Sequence, residues 1–137
     1  MKHFFGVLGW INGKEWSNMK NYQLMKSGST FLHDMLTLKS SFSAGVSTTG
    51  LGECFIRAMV AKRVEDNIAK GMGGSEAITA ALDFMVRRVG GDGGAVAISK
   101  EGEVGVEWNS ERMAWAYVRE GVLHYGCNRG EDFQESM

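Results

Sequence analysis

Proline is absent from this 137-residue chain. No turn can therefore be preset by a locked φ, and the positions that need an unusual backbone conformation are expected to fall to glycine, of which there are 19. Cysteine is scarce as well. Cys54 and Cys127 stand far apart and lack the spacing of a metal site or a redox pair, so they read as reduced thiols in a cytoplasmic protein. No charge of one sign dominates: 15 Lys and Arg against 16 Asp and Glu leave a formal charge of −1, which offers no broad field to nucleic acid or to an acidic membrane surface. Long apolar runs are also lacking. Residues 3–11 are too short and too interrupted by glycine to span a bilayer, and no convincing cleavage site follows them. The three histidines, His3, His33 and His124, have no metal-ligand spacing, so neither a metal nor a cofactor is expected.

What is present suits one globular domain, with 44% apolar and 23% charged residues. Residues 44–48 are small and β-branched and read as a strand. Residues 53–70 follow with Phe55, Ile56, Met59, Val60, Val64 and Ile68 on one side and Arg57, Lys62, Arg63, Glu65 and Asp66 largely on the other, the pattern of an amphipathic helix that Gly71 stops. A second helix is expected from Ser75, a good N-cap, burying Ile78, Leu82, Met85 and Val89 before Gly90-Gly91 ends it. Strands at 94–99 and 103–108 are joined by Lys100-Glu101-Gly102, and strands at 115–119 and 122–125 by Glu120-Gly121. The fold class is α/β in the broad sense (α+β), with two helices and about five mostly antiparallel strands. Residues 128–137 are polar and expected to fray. The first 41 residues carry Trp10, Trp16 and a helical stretch after Ser29 with Phe31, Leu32, Met35, Leu36 and Leu38, but no sheet pattern.

The candidate chemistry lies in Val46-Ser47-Thr48-Thr49-Gly50-Leu51-Gly52-Glu53, where a strand ending in Thr-Gly-x-Gly turns into a helix. A hydroxyl and backbone N–H groups at that junction can stabilise an anionic or polarised oxygen. Small residues at such junctions also serve backbone geometry alone, and both readings stand on these eight residues. Cys54, in the helix's first turn, is either an activated nucleophile or a small core residue. Gly90-Gly91-Asp92-Gly93-Gly94 follows a helix and precedes a strand, the reverse of a phosphate loop, and reads as a turn. Trp108, Trp115 and Tyr117 fall at strand spacing and suit a core or a stacking surface. Glu53, Glu65 and Asp66 read as first-turn and solvated-face charges.

Residues 43–53, Ser43-Ala44-Gly45-Val46-Ser47-Thr48-Thr49-Gly50-Leu51-Gly52-Glu53, form one part of a longer pattern. With Phe55-Ile56-Arg57, Arg88-Val89 and the glycine loop after them, Trp108-Asn109-Ser110, Met113-Ala114-Trp115 and Gly121-Val122-Leu123-His124-Tyr125-Gly126, the chain resembles the plant-type L-asparaginase and isoaspartyl peptidase family of N-terminal-nucleophile hydrolases. The likeness runs without a gap over residues 43–126. It implies a four-layer αββα sandwich, of which this chain would supply the C-terminal half. It also implies hydrolysis of a side-chain amide or β-aspartyl bond, as in L-asparagine or a β-aspartyl dipeptide, by a threonine that self-cleavage exposes. By the same resemblance the Thr49 hydroxyl and Gly50 N–H are the oxyanion donors. The loop of Thr49, Gly50, Leu51 and Gly52 would hold the substrate, with Gly52 offering its carbonyl. Leu51 replaces a residue that is commonly polar in the family.

The family's cleavage motif, an acidic residue followed by the nucleophilic Thr, is not found. His33-Asp34-Met35 puts Met in the nucleophile's place, and Thr30 and Thr37 lie too close, Thr37 only 12 positions before Thr49. The expected organisation is therefore a divergent leader at 1–41, the C-terminal half of an asparaginase-like catalytic chain at 42–127 and a polar tail at 128–137. Such a chain is expected to be inactive alone. An unfinished sheet also suggests a homo-oligomer, or a non-catalytic protein that pairs with a full-length homologue.

Overall fold

A computed structural model describes residues 7–9 and 43–136. The first sheet is antiparallel and three-stranded, in the order β2-β3-β4, with β2 at Ala44–Gly50, β3 at Gly93–Ser99 and β4 at Val104–Trp108. Its middle strand shows why the sequence folds this way. Ala95 and Ala97 turn to one side and join the helical core, while Val96 between them turns to the other and joins Trp108, Met113 and Trp115. Alanine on the helix side lets the helices approach closely, and the two-residue period of a strand keeps the two sets apart.

Three helices cover that side: α1 at Gly52–Ala58, α2 at Val60–Ala69 and α3 at Gly74–Val89. The periodicity predicts one helix over 53–70, but the chain breaks at Met59, which takes a left-handed φ of 51° and ψ of 47°. The break is capped: Met59 N–H donates to Ile56 O at 3.1 Å and Arg63 Nε donates to Ala58 O at 2.9 Å. On α2 the buried residues are Val60, Val64 and Ile68, and on α3 Ile78, Leu82 and Met85 sit beside Ala77 and Ala81, as expected, with Val89 only half-buried. The start of α3 differs from the expected Ser75 cap. The helix begins at Gly74, and the cap comes from across the fold, where Glu103 Oε1 accepts from Gly74 N–H at 3.1 Å.

That helix start lies directly on the β4 backbone. A Cβ on Gly105 would come within 3.0 Å of Gly74 Cα and Ser75 N. Gly105→Ala should therefore lose about 1–3 kcal/mol, the usual cost of overpacking. Gly52→Ala, which meets nothing within 4 Å, should hold or gain stability. Paired urea denaturation curves check both.

The second sheet runs β1-β5-β6-β7, with β1 at Val7–Gly9, β5 at Ala114–Arg119, β6 at Val122–Gly126 and β7 at Phe133–Ser136. Glu120 and Gly121 join β5 to β6 with φ of 54° and 80°, the two positive φ values of a type I′ hairpin turn. Two strands depart from expectation. β1 lies in the first 41 residues, where the sequence shows no sheet pattern, and pairs Leu8 with Trp115. β7 takes the place of the expected frayed tail and pairs with β6. Side-chain patterning could reveal neither, because β1 has three residues and all four of β7 are exposed.

Trp115 and Tyr117 of β5 turn toward Val96, so the two sheets face each other across a second, smaller core. The described residues therefore form one helical layer and two sheets, three of the four layers expected, with three helices and seven strands. No helix among them is long and apolar enough to cross a membrane.

The turn into β7 is held by Glu131, whose carboxylate accepts from Asn128 Nδ2 at 2.7 Å and from the N–H groups of Asn128 and Cys127 at 2.9 and 3.0 Å. The Asn128 side chain foremost, then these amides, hold the Glu131 carboxyl below its ordinary range. A lowered folded-state value stabilises at neutral pH and is lost as pH falls through it. Acidification below the ordinary glutamate range should loosen the turn in the wild type. In Glu131→Gln the resonances of 127–136 should lose that pH dependence in an NMR titration.

Candidate active site

The Thr-Gly-x-Gly run falls where β2 ends and α1 begins. Thr49 and Gly50 are the last residues of β2, Leu51 is the N-cap and Gly52 the first residue of α1. Thr49 and Gly50 are half-buried, and Leu51 and Gly52 are exposed.

The parity of the β2–β3 ladder determines what this corner offers. At one end Lys100 N–H donates to Ser43 O at 3.0 Å, and at the other Leu51 N–H donates to Asp92 O at 3.1 Å. In an antiparallel pair every second residue makes such bonds. Thr49 opposite Gly94 is thus a bonded position, and Gly50 opposite Gly93 is not. The N–H and C=O of Gly50 point away from β3, off the outer edge of β2, which is an edge strand among the described residues. Thr49 shares its face with Ser47 and its partner Gly94, the face that Val96 turns toward the second sheet. Its hydroxyl has no hydrogen-bond partner among the described residues.

Glycine is required at both members of the unbonded pair. Gly50 and Gly93 have φ of 138° and 148°, and a Cβ on either would come within 3.0 Å of the other's Cα and of the Phe55 ring that covers them both. Unbonded pairs bring facing Cα atoms closer than bonded ones. The α1 amides contribute less than the sequence suggests. Cys54 and Phe55 N–H both donate to Leu51 O, at 2.9 and 3.3 Å, so two first-turn donors are already occupied. Besides the N–H groups of Gly52 and Glu53, which make no backbone hydrogen bond among the described residues, the donor pointing outward at this corner is that of the strand-end glycine.

The glycine loop 90–94 is a turn, as expected: Gly90 ends α3 and β3 begins at Gly93. Its position is the part that sequence reasoning missed. Asp92 and Gly93 form the wall opposite Gly50 and Leu51, and Asn109 closes the far side, with Oδ1 accepting from Gly93 N–H at 2.8 Å and its own N–H donating to Gly93 O at 2.9 Å. The signal available was the recurrence of glycine at 50, 93 and 94, which only a strand register could connect.

The remaining candidates lie elsewhere. Cys54 is buried, with Sγ 3.8 Å from Val89 O and against Gly91. Cys127 is buried too, and burial first, then Glu131, pushes its thiol up. Trp108 and Trp115 are core residues between the sheets. His124 lies on β6, stacked on Tyr117 with ring centroids 4.7 Å apart, its Nδ1 3.0 Å from Asp132 Oδ1. Glu53 pairs with Arg57 at 3.6 Å, and Glu65 and Asp66 with Lys62 at 3.0 and 2.5 Å, all helix-surface pairs. No group of three or more metal-ligating side chains occurs among the described residues. His3, His33, Thr30, Thr37 and Met35 lie outside them. Neither thiol should react with Ellman's reagent in the folded chain, and both should react in denaturant. Rapid labelling of Cys54 in the native state would restore its reading as a nucleophile.

Residues 39–127 match the model of a family described as asparaginase. Over 130 residues, 94% of this chain and 38% of the relative, the sequence is 34% identical to a probable isoaspartyl peptidase/L-asparaginase of Drosophila pseudoobscura pseudoobscura. That match reaches into the first 42 residues. The Homo sapiens isoaspartyl peptidase/L-asparaginase is 38% identical over 83 residues, 61% of this chain and 27% of that protein. The Xenopus laevis protein of the same name is 34% identical over 87 residues, covering 64% and 28%. The chain spans between about a quarter and two fifths of the length of these relatives.

Proposed function

The chain belongs to the asparaginase family, and from that premise we propose that it is the oxyanion and substrate-loop portion of a cytoplasmic amidohydrolase acting on L-asparagine or β-aspartyl dipeptides. The observation that carries this reading is the outward Gly50 N–H beside the hydroxyl of Thr49, which has no hydrogen-bond partner among the described residues. An oxygen off the edge of β2, on the side facing the second sheet, can meet both donors. In amide hydrolysis a threonine hydroxyl adds to the side-chain carbonyl and the oxygen takes up the negative charge. The C–N bond then breaks with proton transfer to the leaving amine, and water hydrolyses the ester to release aspartate. Donors already aimed at that oxygen are commonly worth about 10²–10³ in rate each. Leu51 and Gly52, exposed beside them, would line the substrate's amino-acid end.

The attacking threonine has no counterpart in a recognisable motif of this sequence, and the chain alone is proposed to be inactive. Purified protein should release no ammonia from L-asparagine and no aspartate from a β-aspartyl dipeptide. It should still bind the product L-aspartate, with shifts at Thr49 and Gly50 in an NMR titration that Thr49→Ala weakens about tenfold or more. Turnover by the chain alone would overturn the inactivity. Absence of both turnover and aspartate binding would overturn the site.

One observation favours a second reading, a non-catalytic protein that docks on a full-length homologue. Leu51, Ile56 and Met59, around α1, are 56, 78 and 62% exposed although large and apolar. Sedimentation of the chain with and without the homologue separates the readings: a monomer in both mixtures refutes docking.

A further inference from the structure

Ladder parity turns the Gly50 N–H away from β3, and how firmly it keeps that direction depends on what holds the glycine opposite, which here is Asn109. In a continued three-strand ladder, position 109 would follow Trp108 and face Gly93 through backbone groups alone. Here the backbone N–H of Asn109 does bond Gly93 O at 2.9 Å, but the Gly93 N–H goes to the side-chain Oδ1 at 2.8 Å. Both polar groups of Gly93, which the ladder turns away from β2, are thereby anchored on Asn109. Gly93 is held where a Cβ on it would come within 3.0 Å of Gly50 Cα, so its position and that of Gly50 are set together. Phe55 lies over both glycines and prevents the pair from rising out of the sheet.

We infer that Asn109 is a positioning residue for the oxyanion donor: its carboxamide oxygen fixes Gly93, and Gly93 fixes the direction of the Gly50 N–H. The inference rests on the proposed function for its purpose but not for its geometry. An aspartate at 109 keeps an acceptor oxygen at the same reach, whereas alanine removes it and leaves the backbone contact intact.

The test is amide hydrogen exchange and chemical shift in the ¹⁵N-labelled full chain. In the wild type the Gly93 amide should be protected and the Gly50 amide should exchange freely. A protected Gly50 amide overturns the inference without any variant. Asn109→Ala should speed exchange at Gly93 about tenfold, the loss of one hydrogen bond, and move the Gly50 resonance, with Ala97 in mid-strand unchanged. Asn109→Asp should restore both. An unmoved Gly50 in Asn109→Ala, a change spread equally to Ala97, or failure of Asn109→Asp to restore would each overturn it. Added L-aspartate tells the two readings apart. If Gly50 answers to residue 109 but not to aspartate, the positioning stands and the proposed function fails.

Discussion

The geometry of the candidate site depends on one close approach, that of Gly50 and Gly93 across an unbonded position of an antiparallel ladder. A larger residue at either place would meet backbone or the Phe55 ring. Because Gly93 takes its hydrogen bonds from Asn109, and Leu51 returns its own to Asp92, the ladder closes around Gly50 without using it. An unused backbone donor at the rim of a sheet is ordinarily a liability. Where the two facing chains touch and cannot bond, that donor has no partner across the ladder, and the proposed oxyanion role makes use of it.

The layers around this corner explain why it stays put. α1 leaves β2 at once through Gly52 and buries Cys54, Phe55 and Ala58, so the loop is anchored on both sides within a few residues. On the opposite face Gly94 admits Trp108 and Met113 so closely that a Cβ there would come within 3.0 Å of either. Small residues thus do two different jobs in one strand pair. Gly50 and Gly93 let backbones meet, and Gly94 lets side chains of the second core reach the sheet.

Much of this was legible beforehand. The helical stripes of Val60, Val64 and Ile68 and of Ile78, Leu82 and Met85, the two hairpins and the strand ending at Gly50 follow from period and turn chemistry, because burial on one face imposes the pattern directly. The break at Met59 was not, since the apolar period continues through it and the left-handed residue carries a side chain. The strands Val7–Gly9 and Phe133–Ser136 were not, since the first is too short for a pattern and the second exposes every side chain. At the site, the hydroxyl and glycines of β2 stood out locally. Asn109 and Gly93 did not, because their significance lies in a register between segments far apart in sequence, and register is a property of pairing rather than of either strand.

The alternation of Ala95, Val96 and Ala97 makes β3 a wall common to both hydrophobic clusters. Neither cluster can melt while the other survives intact, since pulling this strand away strips apolar cover from each side at once. The helical half and the paired sheets are therefore bound into one cooperative unit, and disturbance at the inter-sheet tryptophans will be felt at the helices through a single thickness of backbone.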